Sequence, residues 1–118
     1  MTREEGIDTL VKACIEGYTY FNTVRSEPQV PTITIQVQES MTKELLRNIQ
    51  STFGGWYKSY DRARYNGVGY WILSKDPAYE LSVVLLKRLK KLPPTPNITK
   101  RIIAINEMNY RWRQRQCA

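Results

Sequence analysis

The chain has 118 residues, 42% of them hydrophobic, which is the size of one domain with a single core. Its 18 Lys and Arg against 11 Asp and Glu give a formal net charge of +7, which favours a polyanionic partner. There is no histidine, so the common zinc sites and the Ser–His and Cys–His nucleophile pairs are excluded. Any catalysis would have to rest on carboxylates, Lys or Arg, and a bound metal.

The charge is unevenly distributed along the chain. Residues 1–44 contain four bases and seven acids, whereas residues 45–118 contain 14 bases and four acids. Such an excess, interleaved with aromatic residues, is typical of nucleic-acid-binding domains, and a solubilising surface is the alternative. The two cysteines do not form a disulfide framework, so we expect an intracellular, reducing compartment. No apolar run approaches the roughly 20 residues of a membrane span, and the opening Met-Thr-Arg-Glu-Glu does not resemble a signal peptide.

The first predicted helix spans Glu4 to Tyr18. Its apolar residues recur at i, i+3, i+4, i+7, i+8 and i+11, which is the stripe of an amphipathic helix. The stripe consists of Ile7, Leu10, Val11, Cys14, Ile15 and Tyr18. A neighbouring strip carries the small residues Gly6, Ala13 and Gly17, which would let a helix of a second copy pack closely. The alternative is that Gly17 is only the glycine that ends the helix.

Two strands with a loop between them are predicted next. Tyr20 to Val24 alternates like a strand, and Arg25 to Val30, which contains a proline, is predicted to be a loop. Thr32 to Gln38 is the clearest strand, because the apolar residues 33, 35 and 37 point to one face and threonines and glutamines point to the other. Thr and Gln side chains can contact DNA bases, and an ordinary solvated sheet face is the alternative.

A second helix is predicted to begin after a cap at Ser40 or Thr42 and to end at Gly54 and Gly55. Its inward-facing residues are Met41, Leu45, Leu46, Ile49 and Phe53. Residues 56–60 and 68–74 then predict two paired strands. The connection between them, residues 61–67, is basic and aromatic and ends in an Asn-Gly turn signal.

Two basic helices close the chain. Asp76 is predicted to cap the third helix, with Pro77 at its first position, and four cations lie near its end. These cations are Lys87, Arg88, Lys90 and Lys91. Cations at this position also suit the negative end of the helix dipole, which is the structural alternative to binding. After a proline-rich break at residues 93–96, Asn97 is predicted to cap a last helix that ends in a basic tail.

This order predicts an α+β fold in one domain, residues 1–118, with an antiparallel sheet covered by helices. Across about residues 7–110 it resembles a unit of the LAGLIDADG homing-endonuclease family, which has a motif helix, two strands, a helix, two strands and closing helices. Three segments carry the local resemblance: residues 33–55 with Leu45-Leu46 and Phe53-Gly54, residues 70–74 before a helix, and Thr99-Lys100-Arg101. The resemblance implies an αββαββα(α) unit whose sheet forms a DNA-binding saddle.

The family's nine-residue motif fits the first helix in two registers. On residues 11–19, Ala13, Glu16 and Gly17 take the small, acidic and small positions, but Tyr18 replaces the catalytic acid and Thr19 the final glycine. On residues 9–17, Glu16 and Gly17 supply the acid and the glycine, while a valine and a lysine replace the close-packed glycine and a core leucine. Burying an unpaired lysine costs several kcal/mol, which favours the first register.

The resemblance also implies roles for single residues. In the family, each motif helix ends in a carboxylate that helps to bind a divalent metal across a dimer. Glu16 is therefore the candidate catalytic and metal-binding residue, with Mg²⁺ as cofactor only if the protein is an active enzyme. Tyrosine cannot fill this role, because its pKa lies near about 10. Lys100 is the candidate for the basic pocket near the scissile phosphate, a role that a point charge can fill.

The same resemblance implies two DNA-contacting sets and a dimer interface. The candidates for base contacts are Thr32, Thr34, Gln36, Gln38, Lys58, Tyr60, Arg62, Arg64 and Tyr70. The candidates for phosphate contacts are Lys87, Arg88, Lys90, Lys91 and Arg111. The candidates for the dimer interface are Gly6, Leu10, Ala13 and Gly17.

The leading hypothesis is a double-stranded-DNA-binding homodimer on a pseudo-palindromic site, with a degenerate catalytic acid. Active Mg²⁺-dependent, site-specific cleavage is the second hypothesis. The third is an RNA-binding intron maturase, because eight tyrosines and three tryptophans could stack on unpaired bases. A protein-interaction module that kept the fold is the fourth, and it would show no salt-dependent binding to nucleic acid. No membrane partner is expected.

Overall fold

The structure is a computed structural model that describes residues 1–24, 30–37, 43–59 and 69–117. The helices are α1 (Arg3–Glu16), α2 (Lys43–Phe53), α3 (Lys75–Lys90) and α4 (Pro96–Cys117), and the strands are β1 (Thr19–Val24), β2 (Val30–Val37), β3 (Trp56–Ser59) and β4 (Gly69–Ser74). The strands form one antiparallel sheet in the order β1-β2-β4-β3. The predicted α+β class is confirmed. Within the described residues no helix is long and apolar enough to cross a membrane.

Helix α1 begins at a capping box and ends at a glycine. At its start the Thr2 hydroxyl accepts a hydrogen bond from the Glu5 backbone N–H, and the Glu5 carboxylate accepts one from the Thr2 backbone N–H, both at 3.1 Å. This capping box holds the pKa of Glu5 below its usual value, mainly through the bond from the Thr2 backbone. At its end Gly17 has a φ of 86°, a left-handed conformation that glycine adopts without strain. The helix therefore ends two residues before the predicted Tyr18.

The two closing helices begin at positions other than those predicted. Helix α3 starts at Lys75, directly after Ser74, so Asp76 lies in its first turn and does not precede it. Helix α4 is capped by Thr95, whose hydroxyl accepts a 3.2 Å hydrogen bond from the Ile98 N–H. Pro96 occupies the first helical position, where its missing N–H costs nothing, so the predicted cap at Asn97 is wrong.

The hydrophobic core lies between the helices and one face of the sheet. Phe21, Ile33, Trp71 and Leu73 alternate inward from β1, β2 and β4 and are at most 4% exposed. They pack against buried residues of all four helices, among them Leu10, Leu46, Leu85 and Ile105. The Trp71 indole also donates a 2.7 Å hydrogen bond from Nε1 to the Gly54 carbonyl, which ties β4 to the turn after α2. We call this face of the sheet the covered face.

Several predicted features lie outside the described residues. They are residues 25–29 of the predicted loop, the caps Ser40 and Thr42 with Met41, the end of the second strand at Gln38, and the connection at residues 61–67. Val30, which was predicted to belong to that loop, begins β2 instead.

Candidate nucleic-acid interface

The other face of the sheet carries one row of side chains that crosses all four strands. The strand register places Tyr20 opposite Thr34, Thr34 opposite Ile72, and Ile72 opposite Trp56. Residues directly opposite each other in a sheet point to the same face, so these four side chains form a continuous strip. Tyr20 is 45% exposed and Trp56 is 73% exposed, whereas Thr34 and Ile72 are half-buried. We call this face the open face.

A second row lies beside the first on the open face. Asn22 and Ser74 are exposed at either side of Thr32, to which both are aligned in the register. Thr32 itself is only 8% exposed, so it offers less surface than the alternating pattern predicted. The two rows together present aromatic rings, hydroxyls and an amide without a formal charge.

Next to the row that contains Thr34, further candidates for base contacts are aligned on β2, β4 and β3. The backbones of Gln36 and Lys58 lie on either side of Tyr70, which is half-buried in β4. The structure thus brings Thr34, Gln36, Lys58 and Tyr70 into neighbouring positions of one sheet. Thr32 lies in the second row, and the remaining four candidates, Gln38, Tyr60, Arg62 and Arg64, lie outside the described residues.

The end of α1 is held by the first turns of α4. The Asn97 side-chain amide donates a 3.1 Å hydrogen bond to the Ile15 carbonyl, and the Arg101 guanidinium donates one of 2.9 Å to the Gly17 carbonyl. Carbonyls at a helix C-terminus lack partners within the helix and form the negative end of its dipole, so these two bonds satisfy acceptors that the helix itself cannot. Arg101 is therefore a structural residue of this junction.

The two candidate catalytic residues lie near this junction and are both exposed. Glu16 is the last residue of α1, and Tyr18 follows the left-handed Gly17, outside the helix. Lys100 lies on α4, where it lines a hollow of about 350 Å³ together with Tyr20 and Asn22 of β1. Lys100 thus borders the open face, whereas Glu16 is not among the residues that line this hollow.

The residues around Glu16 do not fit a metal ion within one chain. The described part of the chain contains no group of three His, Cys, Asp or Glu residues placed to hold a metal. A divalent metal needs several oxygen ligands, and one exposed carboxylate supplies too few of them. We therefore derive no reaction step through a metal at this position.

The candidates for phosphate contacts lie mostly on the helix layer. Lys87, Lys90 and Lys91 are exposed at the end of α3, which packs on the covered face against β2 and β4. Arg88 forms an ion pair with Asp8 of α1, and Arg111 forms one of 2.7 Å with Glu107 on its own helix. The structure does not bring this cluster together with the open face.

The four candidates for the dimer interface are engaged inside the chain. Leu10 and Ala13 are at most 1% exposed, and a Cβ added to Gly6 would lie 2.6 Å from the Phe53 ring of α2. Gly17 is the C-terminal glycine of α1 and contacts Asn97. These residues therefore serve packing within the chain, and the dimer interface stays a prediction.

Sequence reasoning missed the residues that make the open face distinctive. Trp56 and Ile72 were assigned only to strands, although alternation with the buried Trp71 could have placed Ile72 on the opposite face. The side chains of Asn97 and Arg101 carried no signal, because their partners are backbone carbonyls 82 and 84 residues away in the sequence.

Comparisons with known proteins do not add a relationship. No protein-family model, no curated protein and no solved structure matches this chain.

Proposed function

We propose that this protein binds double-stranded DNA through the open face of its sheet. The observation that carries the proposal is the row of Tyr20, Thr34, Ile72 and Trp56, which none of the described helices covers. An exposed face with two large aromatic residues is unusual for a solvated sheet and marks an interaction surface. Hydroxyl and amide groups beside the row can hydrogen-bond to base edges in a major groove.

The fold proposed for this function is the homing-endonuclease-like unit. The order αββαββαα and a single antiparallel sheet with helices on one face are what that resemblance implies. In such a unit the sheet forms the DNA-contacting surface, so the open face is the side on which the duplex would lie. Many unrelated functions share a fold, so the open-face residues carry the functional argument and the fold supports it.

Electrostatics supports a polyanionic partner at the border of the open face. The chain has a net charge of +7, and Lys100 is exposed beside Tyr20 and Asn22. A lysine at this border can contact a phosphate, which adds affinity. The neighbouring strands can contact bases, which adds sequence specificity. The lysines at the end of α3 would add to the long-range attraction without touching the same duplex segment.

The homodimer and the pseudo-palindromic site belong to the same proposal. One sheet of four strands covers only a short stretch of a duplex, and a two-fold pair of sheets would contact two half-sites. The burial of Leu10 and Ala13 within the chain favours an interface outside the small residues of α1. Cleavage is not part of the proposal, because Glu16 is a single exposed carboxylate.

Binding of unpaired RNA bases is the second candidate function. The specific observation in its favour is the exposure of Tyr20 and Trp56, 45% and 73%. Exposed aromatic rings on a sheet stack on unpaired bases, with about 1–3 kcal/mol per stacked base. In a duplex the bases are already stacked on each other, so the same rings would contribute less.

The deciding experiment is a selection of binding sites from random duplex DNA at two salt concentrations. The proposal expects an enriched pseudo-palindrome whose affinity falls as salt rises. The selected pool is then incubated with and without Mg²⁺ or Mn²⁺, and the proposal expects it to stay intact. Cleavage inside the site would instead support the endonuclease hypothesis.

Matched variants locate the surface. Trp56→Ala on the open face should weaken binding at least about tenfold, since buried aromatic anchors dominate interfaces. Tyr110→Ala removes an aromatic ring on α4 that is 55% exposed and should leave affinity unchanged. Equal effects of the two variants would contradict the open face as the binding surface. Stronger binding to single-stranded RNA than to any selected duplex would favour the second candidate.

A further inference from the structure

Strand β1 has a free edge. In the described sheet it pairs only with β2 and lies at the end of the order β1-β2-β4-β3. A strand in this position presents a row of unpaired backbone N–H and C=O groups, which can pair with another extended chain. Such an edge needs either protection or a partner.

A groove follows this edge. Two hollows, of about 350 and 230 Å³, lie between β1 and α4 and share Phe21, Asn22 and Ala104 in their linings. The β1 side of the groove consists of the consecutive residues 19–23, so side chains of both sheet faces line it. Only the edge of a strand meets both faces, and the groove therefore runs along the unpaired backbone. We call it the β1–α4 groove.

The dimensions of the β1–α4 groove suit an extended segment. Five residues of β1 span about 17 Å at about 3.4 Å per residue. The α4 wall, from Asn97 to Arg111, spans about 21 Å at about 1.5 Å per residue. A strand of five or six residues would therefore contact both walls over its whole length.

The α4 wall is basic at one end and apolar in the middle. Lys100, Arg101 and Arg111 line the groove against a single acid, Glu107. Arg101 donates to the Gly17 carbonyl, and Arg111 is paired with Glu107, whereas Lys100 makes no ion pair with any described residue. Lys100 is thus the cation that an acidic side chain could meet.

A second folded copy does not fit this edge. Helix α4 packs mainly on β1 and forms one wall of the hollow at the β1 edge. It therefore lies close to the line along which another strand would pair with β1. Pairing β1 with β1 of a second copy would separate the strands by about 4.8 Å, but two packed helices need about 8–10 Å between their axes. Each copy would bring its own α4 to the paired strands, so the two helices would compete for the same space. A lone extended segment avoids this conflict.

We propose that the β1–α4 groove binds an extended peptide segment with acidic side chains, which adds to β1 as a fifth strand. Backbone hydrogen bonds to the β1 edge supply affinity, and alternate side chains supply selectivity. Acidic side chains meet Lys100, and an apolar side chain lies over Ala104 in the middle of the groove. The groove shares Lys100, Tyr20 and Asn22 with the border of the open face. The backbone edge of β1 is not part of that face, so the methylated peptides test the groove apart from nucleic-acid binding.

The probe is a blocked seven-residue peptide in which glutamate and valine alternate, and its binding to the full chain is measured by calorimetry. Two further versions are methylated on the backbone nitrogens of either the glutamates or the valines. Only alternate residues of an added strand donate to its neighbour. We therefore expect one methylated version to lose binding and the other to keep it within about threefold.

Two pairs of variants locate the site. Ala104→Phe fills the middle of the groove and should lower affinity at least about tenfold, whereas Ile103→Phe, next to it and 60% exposed, should have no effect. Lys100→Glu should lower affinity about fivefold, in line with the modest energies of exposed ion pairs, whereas Arg113→Glu changes the same charge on α4 outside the groove lining and should not. Circular dichroism verifies that each variant is folded.

Three outcomes would overturn the proposal. The first is no binding of the unmethylated peptide, and the second is equal loss for both methylated versions. The third is binding of a single-stranded oligonucleotide, but not of the peptide, that Ala104→Phe abolishes. That result would assign the groove to nucleic acid.

Discussion

The two faces of the sheet are built from the same strands, but one is buried against the helices and the other is exposed. Along β4, Trp71 points to the covered face and is fully buried, while the next residue, Ile72, points to the open face and is half-buried. On β3, which is paired with β4, Trp56 points to the open face and is 73% exposed. One tryptophan therefore serves stability, and the other is available for binding.

The difference comes from what covers each face. All four helices contribute buried residues to the cluster that contains Phe21, Ile33, Trp71 and Leu73. No described helix packs on Tyr20 and Trp56, so their apolar area stays in contact with water, which is unfavourable unless a partner removes it. Substitutions on the covered face should thus change folding, and substitutions on the open face should change binding.

The largest expected effect is that of Trp71→Ala. It removes a fully buried indole, its tilted contact with the Phe53 ring and its hydrogen bond to the Gly54 carbonyl. Aromatic-to-alanine changes in a core cost about 3–5 kcal/mol of unfolding free energy. Urea denaturation measures this loss.

Trp56→Ala is the matched control for that prediction. Its indole is mostly exposed, so the unfolding free energy should change by less than about 0.5 kcal/mol, although nucleic-acid binding weakens. If both tryptophan variants destabilised the fold to a similar degree, the contrast between the two faces would be refuted.

The second effect concerns the turn that joins α2 to the sheet. Gly55 has a φ of 91°, and a Cβ at this position would lie 2.5 Å from the Ile72 carbonyl oxygen. Gly55→Ala therefore adds a clash with backbone to left-handed strain, and we expect a loss of about 3 kcal/mol in thermal or urea unfolding.

A substitution at Gly54 tests the left-handed backbone strain without the steric clash. The φ of Gly54 is 77°, but no atom lies within 4 Å of an added Cβ. Gly54→Ala should thus cost only the conformational part, about 1–2 kcal/mol. Equal losses at the two glycines would mean that the close approach to β4 does not limit this turn.

The third effect lies in the helix layer above the covered face. Ser82 of α3 is fully buried, and its hydroxyl oxygen lies 2.9 Å from Asn109 Oδ1 of α4. Ser82→Ala leaves the buried Asn109 amide with fewer partners and should cost about 1–3 kcal/mol. The exposed Ser51→Ala is the matched control. Ser82→Ala combined with Asn109→Leu should cost less than the single serine change, because both polar partners are then removed.

Much of the fold could be predicted because local patterns and packing agree. The stripe of α1 and the alternation of β2 each fitted one regular element, and both elements form within two residues of the predicted limits. The caps of α3 and α4 could not be placed to the residue. Ser74, Asp76, Thr95 and Asn97 are all good cap residues, and tertiary contacts decide among them.

The site was less predictable because exposure is a tertiary property. The polar alternation of β2 identified the open face through Thr34, but it could not tell that Thr32 is nearly buried. The small residues of α1 fit a dimer contact and an internal contact equally well by sequence. The internal partner of Gly6, Phe53, lies 47 positions later in the sequence, so no local pattern could indicate it.

The smallest effect at neutral pH concerns the reactivity of the Cys14 thiol, which lies beneath the covered face. Burial raises the pKa of Cys14 from 9.0 to about 11, against the opposing effects of the Thr19 hydroxyl, whose Oγ1 lies 3.2 Å from the sulfur, and of the Arg101 charge. At pH 8 the folded protein should contain about 100-fold less thiolate at this position than the unfolded chain, since each unit of pKa is a factor of ten. Alkylation by iodoacetamide, followed at the Cys14 peptide by mass spectrometry, should therefore be slow in buffer and fast in urea.

The same pKa shift fixes the direction of a pH effect on stability. Between pH 9 and about 11 the unfolded thiol loses its proton while the folded one keeps it, so the folded state binds more protons and stability falls as pH rises. Below pH 9 the thiol is protonated in both states and contributes no slope. Tyrosines and lysines also titrate in this alkaline window, so the quantity to measure is the difference in unfolding free energy between the wild type and Cys14→Ala. That difference should be constant from pH 6 to 8 and shrink above pH 9, because only the wild type loses stability when the unfolded Cys14 thiol ionises. A constant difference up to pH 11 would mean that water reaches the sulfur and that the covered face is less tightly closed at β1 than its burial indicates.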